Sequence, residues 1–127
     1  MEMENPANKK FLKEMTSGIS SLILLNVLER GQEPMYGYQV AKLLEAGVNE
    51  EMPMIKQGAL YPVLRSLEKT GLLASEVEPS VSGPPRRYYS ITEDGKETLK
   101  EWIEIWKQTK KYVDTLLQGD TDDDENN

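Results

Sequence analysis

A chain of 127 residues with a formal net charge of −7, no cysteine and no histidine has room for about one domain and a modest core. The absent residues remove disulfides, thiolate nucleophiles, sulfur metal sites and the commonest metal ligand and general base, which argues against a hydrolase or a metalloenzyme. No apolar run reaches the ~18 residues of a membrane span, and "MEMENPANKK" lacks the regions of a signal peptide, so a cytoplasmic protein with no cofactor and no membrane partner is expected.

Residues 1–10 are polar and read as a disordered end. From Phe11 to Arg30 a broad apolar stripe (Phe11, Leu12, Met15, Ile19, Leu22, Ile23, Leu25, Leu28) recurs at helical period, and Gly31 and Pro34 stop it. "YGYQVAKLLEAG" predicts a short second helix with Val40, Leu43 and Leu44 inward and Gly47 at its end. "VNEEMPM" is a polar connector. A third helix starts near Lys56 or Gln57 and ends before Gly71, with Leu60, Val63, Leu64 and Leu67 inward. Pro62 falls inside it and offends the carbonyl of Gly58, the residue with most backbone freedom.

After Gly71 the period changes to two. Leu73, Ser75 and Val77 alternate in a strand, "SVSGPP" turns, and "RRYYSI" returns antiparallel. Thr92 then caps a long helix whose first turn carries Glu93 and Asp94, favourable near its positive end. Leu99, Trp102, Ile103, Trp106, Val113, Leu116 and Leu117 give that helix a stripe of nearly heptad spacing. The expected fold is mainly α with a small two-stranded antiparallel β wing. It is divided into a winged helix-turn-helix over 11–92, a long C-terminal dimerisation helix over 93–119 and a disordered acidic tail over 120–127. The last helix is too long and too apolar on one side to be left bare by one small domain.

The charge is unevenly placed. Asp120, Asp122, Asp123, Asp124 and Glu125 crowd the last eight residues, whereas from Lys56 to Tyr89 five cations (Lys56, Arg65, Lys69, Arg86, Arg87) face three acids (Glu68, Glu76, Glu78). With the leucines of the third helix buried, Tyr61, Arg65 and Lys69 fall on its outer side, a set suited to phosphates and guanine edges in a major groove. Arg86 and Arg87 follow the wing tip, well placed for a neighbouring phosphate or minor groove; the plainer alternative is a salt bridge to Glu76 or Glu78. Tyr36 and Tyr38 flank Gly37 where the second helix begins, and Tyr38 is the better candidate for DNA. Trp102 and Trp106, four apart, share a helix face; they either form a solid dimer core or line a pocket for a flat ligand.

"YGYQV", "GALYPVLRSLEKTGLL", "PPRRYYSITEDGKETL" and the tryptophan-bearing last helix, in this order, resemble the PadR family of transcriptional regulators over about Thr16 to Leu117. The resemblance implies a winged-helix DNA-binding domain with a C-terminal dimerisation helix, usually a repressor of genes beside its own. It makes the third helix the recognition helix and Leu72 to Ile91 the wing. The implied contacts to double-stranded DNA are Tyr38, Gln39, Lys56, Gln57, Ala59, Tyr61, Arg65, Lys69, Arg86 and Arg87. Family members often carry Ser-Pro before the glycine and Thr after it, where this chain has Lys56, Gln57 and Ala59. Pro62 belongs to the family's "LYP" signature. Phe11, Leu12, Met15, Leu99, Trp106, Val113 and Leu116 would form a homodimer interface. Trp106 matches a tryptophan that stacks on drugs in multidrug-responsive members, which would place a small aromatic effector beside Trp102, Ile103 and Trp106. The rival to a DNA reader is a winged-helix protein–protein adaptor. The acidic tail serves solubility, or folds back on the basic face.

Overall fold

The computed structural model describes residues 4–46 and 57–119. Its elements are α1 (Pro6–Gly31), β1 (Met35–Tyr36), α2 (Gly37–Ala46), α3 (Gln57–Lys69), β2 (Leu73–Glu78), β3 (Arg86–Ile91) and α4 (Glu93–Gln118). The connector "VNEEMPM", Lys56 and the acidic tail lie outside the described residues.

α1 begins five residues before the expected Phe11, so residues 6–10 are helical and not a disordered end. The signal is local: Asn5 Oδ1 accepts the Ala7 N–H at 2.8 Å, and Pro6 occupies the first turn, where a missing N–H costs nothing. At its other end the left-handed residue is Gln32, with φ 60°, one past Gly31. By length and mean hydropathy α1 would pass for a membrane span, which the sequence reading had excluded. In the fold, Leu24, Leu25 and Leu28 sit at the centre of the core.

Among the described residues the sheet has three strands and not two, in the order β1-β3-β2, all antiparallel. β1 contributes Met35 opposite Tyr89 and Tyr36 opposite Tyr88. Two residues carry no period to read, and only their long-range pairing with β3 makes them a strand.

Leu60, Leu64 and Leu67 of α3 are buried with Val40 and Ala41 of α2, Leu73 of β2, Tyr89 of β3 and Leu99 of α4. Val63 is half-buried, and Leu43, expected inward, is exposed while Ala41 takes the buried place. α3 runs unbroken through Pro62, which points outward. It ends in a Schellman turn: Gly71, with φ +85°, donates to the Glu68 carbonyl at 3.0 Å, and Leu72 donates to the Leu67 carbonyl at 2.9 Å. This turn fixes the direction in which β2 leaves the helix.

α4 is 26 residues long, about 39 Å at the helical rise. Thr92 caps it as expected, accepting the Gly95 N–H at 3.0 Å. Leu99 is only 4% exposed and belongs to the chain's own core, so the part given to it in a dimer interface is corrected. Trp102 and Ile103 pack on that core half-buried. Beyond them Ile105, Trp106, Tyr112, Val113, Leu116 and Leu117 are all exposed. Phe11 and Met15 on α1 are exposed as well, and Leu12 is half-buried.

Candidate nucleic-acid interface

The interface builds outward from α3. Burial of Leu60, Leu64 and Leu67 leaves Ala59, Tyr61, Arg65 and Lys69 exposed along the opposite side, as their spacing predicts. Gln57 opens the helix, but its side chain, like all of Lys56, lies outside the described residues.

Tyr61 is seated over the start of α2. A Cβ added at Gly37 would overlap the Tyr61 ring, falling 2.7 Å from both its Cζ and its hydroxyl oxygen. The glycine therefore lets α3 bring a phenol onto the N-terminus of α2, where N–H groups favour an anion. Gln39, an expected DNA contact, is exposed and also holds the start of α2. Its Oε1 accepts the Tyr36 N–H at 3.1 Å, closing the start of α2 as a capping residue does. We expect Gly37→Ala to displace the exposed Tyr61 ring and not the backbone. DNA affinity should then fall about three- to tenfold, the loss of one polar contact, while the melting temperature stays near wild type. A titration and a thermal melt on the same preparation check this.

The two wing arginines, adjacent in sequence, are on opposite faces of the sheet. Directly opposed residues share a face, and Arg86 opposes Glu78 whereas Arg87 opposes Val77. Arg86 lies on the face of Tyr88 and Tyr36, its guanidinium 4.5 Å from the Tyr36 ring centroid. Tyr88 meets Tyr36 edge-on at 5.3 Å, Tyr38 stacks on it at 6.4 Å, and Lys42 Nζ lies 5.4 Å over Tyr38. Aromatic faces thus hold two cations beside the start of α2. Arg87 lies on the other face, toward α3. Its Nη1 donates to Ser75 Oγ at 2.9 Å, and Ser75 Oγ donates to Glu68 Oε2 at 2.7 Å. Neither contact is the salt bridge to Glu76 or Glu78 that was the plainer expectation.

Tyr89 lies buried under this junction. Burial, and then the Glu68 carboxylate, push its phenol above the usual tyrosine range, so it stays neutral beneath the cations. Periodicity and charge set Tyr36 behind Tyr38, gave Ser75 and Glu68 no part in the site, and did not single out Tyr88 or Lys42. Strand alternation could have separated Arg86 from Arg87, and the four-residue spacing of Tyr38 and Lys42 could have paired them.

The tryptophans are divided by the edge of the domain. Trp102, with Ile103, rests on the core, whereas Trp106 is 42% exposed beyond it. A cleft of about 320 Å³ lies elsewhere, between Glu29, Glu33 and Lys96, and neither tryptophan lines it.

The sequence profile described as the transcriptional regulator PadR-like family matches residues 24–101. Among solved structures, the chain is similar to a PadR family transcriptional regulator from Eggerthella lenta DSM 2243, at 35% identity and a TM-score of 0.72 over 86% of this chain and 90% of that one. It is also similar to a PadR-like transcriptional regulator from Bacillus cereus strain ATCC 14579, at 33% identity and a TM-score of 0.64 over 84% of this chain and 98% of that one. An uncharacterized protein of Lysinibacillus sphaericus is 31% identical over 101 residues, 80% of this chain and 89% of that protein.

Proposed function

The chain belongs to the PadR-like family of transcriptional regulators, and from that premise we propose that it is a cytoplasmic homodimeric repressor of a pseudo-palindromic DNA site. The observation that carries this reading is the exposed row Tyr61, Arg65 and Lys69 on α3 with Arg87 of the wing on the same side, while Arg86 adds a cation over Tyr36 on the other face of the sheet. Two such helices in one dimer suit successive major grooves about 34–36 Å apart. Arg65 offers a planar fork for guanine or phosphate, while Tyr61 and Lys69 suit phosphates. The half-exposed Trp106 is the place for a flat aromatic effector between protomers. Such a ligand releases DNA by favouring a protomer arrangement whose α3 spacing no longer matches the grooves.

The test is a gel-shift titration against the DNA upstream of the protein's own gene at several salt concentrations. Contacts to three or four phosphates per protomer give a log–log salt slope of about −6. Replacing Arg86 and Arg87 together by alanine should flatten that slope by about 3 to 4, two phosphates lost per protomer. Unaltered binding by the double variant would instead support the adaptor. Failure of the wild type to prefer any duplex over competitor DNA would overturn the repressor reading.

A further inference from the structure

The ties that hold Arg87 do more than display a cation. Glu68 on α3, Ser75 on β2 and Arg87 on β3 form a chain of carboxylate, hydroxyl and guanidinium across three elements. Glu68 and Ser75 are half-buried and Arg87 is exposed, so the fixed end is inside and the charged end faces outward. A serine hydroxyl has a single proton; given to the carboxylate, it leaves only lone pairs for the guanidinium, so the carboxylate sets the direction of both bonds. The hydroxyl also keeps the two charges from direct contact, leaving the other N–H donors of Arg87 available to a phosphate.

Placement along the wing gives the chain its leverage. The Schellman turn at Gly71 fixes the base of β2, but beyond Ser75 the strand residues Glu76, Val77 and Glu78 are exposed. The Ser75 hydroxyl is therefore the outermost described tie between wing and recognition helix; Arg86 is tied to β1 on the opposite face. We propose that Glu68 and Ser75 are positioning residues that fix Arg87, and with it the wing, at one angle to α3, so that wing and recognition helix engage DNA as one unit. The inference rests on the DNA-binding reading and assigns the angle between its two parts to a pair that itself contacts no DNA.

The test has one arm without DNA and one with it. In nuclear magnetic resonance spectra of the full chain, the Arg87 Nη protons should give separate, slowly averaged signals in wild type and averaged ones in Ser75→Ala and Glu68→Gln. Ser75→Thr, which keeps the hydroxyl on a β-favouring residue, should restore them. On the upstream duplex, Ser75→Ala should lower affinity about tenfold in the wild-type background and leave it unchanged in the Arg87→Ala background, with melting temperatures compared throughout. Averaged Arg87 signals in wild type, additive losses from Ser75→Ala and Arg87→Ala, or tighter binding by Glu68→Gln would each overturn the proposal; the last would make Glu68 a competitor for Arg87. Separate Arg87 signals in a wild type that binds no duplex would overturn the DNA reading, and the DNA role with it, while showing that the tie itself exists.

Discussion

Gly95→Ala is expected to cost about 3 kcal/mol of stability and to lower the melting temperature by about 10 °C. Gly95 is buried in the first turn of α4, and its N–H donates to the capping Thr92 hydroxyl at 3.0 Å. That turn is seated on the junction between α3 and β2: the Thr92 N–H donates to the Leu72 carbonyl at 3.1 Å and the Thr92 hydroxyl to the Gly71 carbonyl at 2.7 Å. A methyl group at residue 95 would run into the Leu72 carbonyl oxygen and approach Ile91 Cγ1 to 2.7 Å. The obstacle is backbone, and it cannot move aside without breaking the bonds that seat the helix. Gly58→Ala is the matched control, because nothing lies within 4 Å of a Cβ there. Gly58 is the second residue of α3, a conformation that alanine adopts without strain, so that change should stabilise by about 0.4–1 kcal/mol. A loss there would instead show that Gly58 relieves the crowding from Pro62. Thermal melts at equal protein concentration compare the three proteins, since association shifts apparent stability. A Gly95→Ala protein that melts with wild type would mean that α4 does not sit on the Leu72 carbonyl.

The largest effect on assembly is expected from Val113→Asp combined with Leu117→Asp. With Trp106 these residues lie within about 40° of one another around α4 at about 100° per residue. In the single chain they are 42%, 80% and 42% exposed for Val113, Leu117 and Trp106, so none contributes much to its core. Burying such a side chain in a dimer is worth about 1.5–3 kcal/mol, and a two-fold axis counts each one twice. Carboxylates at both positions remove that gain and place like charges against each other. The expected variant is monomeric at micromolar concentration and keeps its fold, but melts below wild type because the stabilisation supplied by association is lost. Its affinity for a two-half-site duplex falls at least about a hundredfold, because the half-sites are no longer held by linked modules. Sedimentation velocity and a DNA titration check both parts. A double variant that remains dimeric would place the interface elsewhere on the chain.

Much of this protein is local and was legible as such. Helical and two-residue periods, Gly71, Pro34 and the Thr92 cap marked where the long elements run, because each is set by neighbours within a few residues. The outer face of α3 followed from which of its leucines must be buried. The family motifs added membership of the PadR-like family and a winged-helix fold as expectations, which the matching profile and solved structures bear out.

What the sequence left open depends on partners far away in the chain. Met35 and Tyr36 form a strand only because β3 runs beside them. Arg86 and Arg87 looked alike as neighbours, but the pleat sends one to Tyr36 and the other to Ser75 and Glu68. The stripe on α4 is continuous in sequence, yet Leu99 lies in the core, Trp102 at its margin and Trp106 outside it. Periodicity gives the direction in which a side chain leaves its helix. How far along that helix the rest of the domain extends is decided by the packing of α1, α3 and the sheet, and only the tertiary structure carries that.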